Sequence, residues 1–100
     1  MIYELTKDHP KHELFGLVSQ IRRASVSVLS NIVEGFVRQS GIEQVRFTEI
    51  AYGSLMEILC QLTLSFDLSY ISKENYINAR VLIEELSNKL NSLRKTQLKR

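Results

Sequence analysis

Ser27, Asn31, Glu34 and Arg38 recur at steps of four, three and four residues, the spacing that aligns side chains along one side of a helix. Arg46, Glu49, Gly53 and Glu57 repeat the pattern downstream, with Ser54 beside them. Arg23, four residues before Ser27, extends the first stripe. Hydroxyl, amide, carboxylate and guanidinium groups in such rows can build a hydrogen-bonded ion-pair network, or they can hold a polar ligand. If the two helices pack antiparallel, Asn31 and Glu34 face the stretch holding Arg46, Glu49 and Gly53. Small residues (Ala24, Ser27, Gly53, Ser54) would then let the backbones approach.

Buried charge is tolerated only when paired, so the leading expectation is a structural seam of Arg23, Ser27, Asn31, Glu34, Glu49, Ser54 and Glu57 that specifies which helix packs where. A second reading turns the seam toward a neighbouring subunit, where it fixes the register of assembly. An active site is the third. It lacks a nucleophile–histidine pair, a phosphate loop and metal-ligand spacing, so the chain is read as non-enzymatic, with no catalytic residue, metal or cofactor assigned.

Cations supply the other chemistry. Arg22 projects roughly 100° away from Arg23 on a helix. With Arg38, Arg46, Arg94, Lys95, Lys99 and Arg100 it forms a candidate nucleic-acid-binding set, each phosphate contact adding salt-dependent affinity. The net charge of +2 names no partner, but residues 1–72 carry −2 and residues 73–100 carry +4. The competing reading is a solvated basic tail beside structural ion pairs. No aromatic residues interleave with the cations, so any binding should be indifferent to base sequence. His9 and His12 have no ligand partners at metal spacing, and Cys60, between Leu59 and Gln61, reads as a small buried hydrophobe. Tyr3, Tyr52, Tyr70 and Tyr76 read equally as packing or interface residues.

The elements that must position these groups are helices. Gly (4) and Pro (1) are scarce, and the 100 residues suffice for one domain. Pro10 suits a first helical turn, with Asp8 or His9 as cap and Glu13 adding favourable charge. Leu14, Leu17, Val18, Ile21, Ala24, Val28 and Ile32 then recur at helical steps until Gly35 and the polar residues 38–41. Ser40 and Glu43 form a capping box opening a second helix to about Phe66, with Phe47, Ile50, Ala51, Ser54, Leu55, Ile58 and Leu62 inward. Ser72 caps a third, whose Ala79, Ile83, Leu86, Leu90 and Leu93 make a heptad-like seam. Residues 1–7 read as the remnant of a first helix and residues 94–100 as a basic tail. The fold expected is all-α, an up-down antiparallel bundle of three long helices plus a truncated first one. One cysteine, no long apolar run and no signal pattern point to a cytoplasmic protein without a membrane span.

The stretches "FGLVSQIRRASVSVLSNIVEGFVR" and "RFTEIAYGSLMEILCQL" resemble the four-helix-bundle proteins encoded in intervening sequences of bacterial 23S ribosomal RNA. Relatives of that family include accessory proteins of diversity-generating retroelements. The motif positions are Gly16, Leu17, Gln20, Arg22, Arg23, Ala24, Ser27, Asn31, Ile32, Glu34, Gly35 and Arg38, then Arg46, Phe47, Ala51, Gly53, Ser54 and Glu57. His9 stands where the family usually has Phe, and a proline common near Leu29 is absent. The resemblance implies a helical bundle assembling into a ring, typically a homopentamer, with a basic surface. It implies RNA or another nucleic acid, a ribosomal component or a reverse-transcriptase-like protein as partner, and no established reaction. An adaptor whose partners are proteins alone is the alternative.

Overall fold

Backbone donors left unpaired at helix starts decide where two of the long helices begin. Ser40 and Ser72 sit in extended conformation and accept from the backbone N–H of Glu43 and Asn75, each at 3.1 Å. The computed structural model describes residues 2–13 and 16–99, and among them four α-helices: α1 (Ile2–Thr6), α2 (Leu17–Phe36), α3 (Gly41–Asp67) and α4 (Lys73–Leu98). Leu14 of the expected core and Arg100 of the expected cationic set lie outside the described residues.

The start of α2 differs from the expectation at Pro10. Residues Lys11–Glu13 form a 3-10 turn, with Glu13 N–H donating to Pro10 O at 2.9 Å, and α2 begins only after Gly16. Gly16 departs from helical geometry (φ −102°, ψ −104°), which separates the turn from the helix. The end of α3 is sharp for a different reason. Ser69 adopts φ 64°, Tyr70 N–H donates to Ser65 O and Ser69 N–H donates to Phe66 O. Together they close α3 in a Schellman motif without glycine.

The α2–α3 and α3–α4 pairs carry most of the packing, so α3 is the middle rod of a slab about 45 × 24 × 16 Å. Both pairs are antiparallel: Ser27 meets Ser54 and Gly35 meets Phe47, while Thr48 meets Gln97 and Thr63 meets Tyr76. Ile21, Ala24 and Val28 of α2, Ala51, Leu55, Ile58 and Leu62 of α3, and Ala79, Ile83 and Leu90 of α4 form one buried cluster. This all-α arrangement is the expected bundle. Two expected burials are absent: Ile50 is 44% exposed and Cys60 is exposed. Both fall off the line through Ala51, Leu55, Ile58 and Leu62 that faces the core.

Candidate functional site

The polar stripe of α2 reaches α3 at one point. Ser27 Oγ and Ser54 Oγ lie 2.8 Å apart, and Asn31 donates its amide N–H to Ser27 O at 2.8 Å and to Ser27 Oγ at 3.1 Å. Two turns further along α2, Gly35 packs against α3, where an added Cβ would meet Phe47 Cβ in ordinary van der Waals contact at 3.4 Å. Gly53, expected to admit a close backbone approach, faces open space.

The charged members of the expected seam lie elsewhere. Arg23 donates to Ser19 Oγ on its own helix. Glu34 pairs with Arg38 at 3.0 Å, also on its own helix and exposed. Glu49 accepts from Arg94 of α4 at 2.8 Å. The register explains this separation: with Ser27 opposite Ser54 and Gly35 opposite Phe47, Glu34 points along the rim of the helix pair instead of across it. Glu57 lines an open groove of about 420 Å³ with Gln20, Arg23, Ser27, Ser54 and Gln61. Asn31 and Glu34 do not line it, and within the groove wall Gln61 Oε1 is buried without a hydrogen-bond partner.

The cations divide between two places. Arg22 Nε donates to Thr6 Oγ1 at 3.2 Å, and its guanidinium lies 4.6 Å from the Tyr3 ring centroid, so it ties α1 to α2. Arg38, Arg46, Arg94, Lys95 and Lys99 share the opposite end of the slab, where the end of α2, the start of α3 and the end of α4 meet. There Arg38 stacks over Phe47 at 4.8 Å while holding Glu34, and Arg94 holds Glu49. Arg46, Lys95 and Lys99 are exposed. Residues 94–98 continue α4, and Gln97 is only 4% exposed, accepting from Thr48 Oγ1 at 2.7 Å. Their cations therefore ride on a docked helix.

Sequence reasoning missed the burial of His9. It is 8% exposed, Nε2 lies 2.9 Å from Ser65 Oγ, and the ring meets Tyr70 edge-on with centroids 5.2 Å apart. The Ser65 hydroxyl also donates to Gln61 O at 3.0 Å, so one serine oxygen ties the imidazole to the α3 backbone. Nδ1 is buried, and a hydrogen bond to the Leu5 backbone favours the protonated ring. Burial is the largest cause pushing the His9 pKa below its ordinary value; Arg22 acts in the same direction, and Glu13, Asp8 and the Leu5 backbone oppose it. Burial, then the hydrogen bond and charge of Glu13, raise the Tyr70 pKa. Ser65 is 0% exposed, so the Ser65–His9 pair has no access to a substrate. Among the described residues there is no group of three or more His, Cys, Asp and Glu that could hold a metal ion, and no helix long and apolar enough to cross a membrane.

Fold and site define an all-α bundle in which polar contacts join neighbouring helices and in which Arg46, Lys95 and Lys99 lie at one end while Lys7, Lys11 and Lys73 lie toward the other. Over residues 1–92 the sequence matches the family model described as 23S rRNA-intervening sequence protein, and the chain belongs to that family. No curated protein matches the sequence significantly.

Proposed function

We propose that this chain is a non-enzymatic, self-assembling bundle protein that binds RNA or a nucleoprotein through the cationic end of its slab. The observation carrying this reading is the placement of Arg46, Lys95 and Lys99, exposed and outside the ion pairs of Arg38 and Arg94, at a single end. Phosphate needs such cations and releases counterions when it meets them. A ring of copies, a homopentamer by resemblance, would repeat this end around an axis and multiply weak contacts into avidity. A ribosomal or reverse-transcriptase-like partner and a cytoplasmic location belong to the same proposal.

A second reading has proteins as the only partners. It is favoured by the uncharged, exposed Val26, Leu29, Val33 and Phe36 on α2, a surface that offers nothing to phosphate.

Titration of a single-stranded RNA oligonucleotide at increasing salt separates the two. Affinity should fall steeply with salt, and Lys95→Ala with Lys99→Ala should flatten the log–log slope by roughly 1.4, the share of two single-strand phosphate contacts. Absence of binding at low salt removes the RNA reading and leaves the protein-only one.

A further inference from the structure

Thr48, Glu49, Tyr52, Leu90, Asn91 and Arg94 line an open groove of about 400 Å³ between α3 and α4. That size falls in the range of roughly 300–1,000 Å³ usual for small-molecule sites. Leu90, 3% exposed, gives the groove an apolar floor, and Tyr52 is half-buried. Its walls are polar: Asn91 is exposed, and Arg94 donates to Glu49 at 2.8 Å across the two helices. Lys95 follows Arg94 on α4, and Arg46 lies one turn before Glu49 on α3. Both are exposed, and neither forms an ion pair among the described residues.

In the sequence Tyr52 is remote from the cations of α4, so no aromatic residue interleaves with them. The antiparallel register changes that. With Glu49 opposite Arg94, three residues onward in α3 and three back in α4 put Tyr52 and Asn91 in the same groove. Other grooves lack this combination. The one around Glu57 has no aromatic side chain, and the one between α1 and α4 carries Glu4 and Asp8, which repel phosphate. Helix α1 meets α4 at Asn75, Asn78 and Leu82. Asn91 lies about 180° round α4 from Leu82, so α1 does not reach this groove.

We propose that the groove takes one unpaired RNA base, stacked on Tyr52, with the Asn91 amide at its edge and Lys95 and Arg46 on neighbouring phosphates. This site rests on the RNA reading of the cationic end and narrows it to an unpaired strand. An unpaired base offers a flat face to the tyrosine ring and a polar edge to an amide that both donates and accepts. The Glu49 carboxylate repels phosphate, so the charge of the strand stays with the exposed cations while the base enters. In a duplex the base faces are closed against one another, which leaves phosphate contacts alone. Stacking accepts every base, so sequence preference stays small.

Fluorescence anisotropy of a short single-stranded RNA at low salt tests the site, with a duplex and an abasic strand of equal length as companions. Tyr52→Leu should lower single-strand affinity roughly five- to hundredfold, the range of one lost base stack, and leave duplex and abasic strand unaffected. The salt slope should not change, unlike that of Lys95→Ala with Lys99→Ala. Tyr52→Phe keeps the ring and should bind as wild type does, with circular dichroism checking the fold of both variants. Should Tyr52→Leu fail to fold, the wild-type chain decides: the abasic strand should bind more weakly than the intact one by about fivefold or more. Equal affinity for abasic and intact strands, or a folded Tyr52→Leu with unchanged single-strand affinity, overturns the groove site and leaves the cationic end standing. Absence of any RNA binding at low salt overturns the groove site and the RNA reading together.

Discussion

Helix α2 carries two stripes that reverse the usual allocation of residues. Its polar stripe is sheltered where it meets α3, with Ser27 bonded to Ser54 and Asn31 bonded back to Ser27. Its apolar stripe, Val26 to Phe36, faces outward with each member more than half exposed. An ordinary surface helix has one apolar side and one polar side. Here a second apolar line runs beside the true core line of Ile21, Ala24 and Val28, and the polar groups occupy the flank between core and rim. The difference teaches that hydrophobicity alone does not say which surface the protomer buries for itself. Polar atoms can be structural while apolar ones stay exposed.

The comparison breaks most visibly in the core. Leu62 is 1% exposed within the shared cluster, and Leu62→Ala should cost about 2–5 kcal/mol. Leu29, at 66% exposure, should lose no more than about 0.5 kcal/mol on the same change in dilute, monomeric protein. Urea unfolding of both variants measures the contrast. Equal losses would mean that the outer stripe is buried inside the protomer.

The polar stripe gives a smaller effect. Ser54→Ala removes one partner of the 2.8 Å contact and should destabilise by about 1 kcal/mol, the net value of such a bond. Ser27→Ala adds little once Ser54 is gone, because both report on one interaction; the double variant should lose less than the sum of the singles. Additive losses in the denaturation series would sharpen the comparison against us, making the two hydroxyls independent and the stripe no seam.

Much of this architecture could be read from the chain because helical signals are local. Ser40 and Ser72 cap where their hydroxyls find a backbone N–H three residues on, and Ala79, Ile83 and Leu90 bury along the seam their spacing drew. The ion pairs were less legible. Glu34 and Arg38 are four residues apart, so each could satisfy the other on one helix, and spacing could not say whether either would also cross to α3. Arg94 with Glu49 and Gln97 with Thr48 join residues far apart in sequence, fixed by the antiparallel register of α3 and α4. The outer stripe was hidden for a simpler reason: its members resemble core residues in type. A period-3.5 count made separately on each side of α2 would have revealed it.

The smallest effect concerns the N-terminal segment, whose buried anchor, His9, is titratable. Folded, its ring is buried against Ser65 and Tyr70, and that burial disfavours the protonated form. Arg22 adds to that effect, while Glu13, Asp8 and the Leu5 backbone oppose it. Because the folded pKa lies below the unfolded value of about 6.5, the unfolded chain binds more protons as pH falls through that window. Docking of His9 therefore contributes fully above about pH 6.5, and its contribution declines as pH drops toward the lowered folded value. Urea unfolding at pH 7.5 and 5.5 should show the loss, and His9→Gln, which keeps hydrogen-bonding capacity without titrating, should flatten it while His12 stays in place. An undiminished slope in His9→Gln would assign the acid sensitivity to other groups and make the His9–Ser65 contact a pH-indifferent anchor.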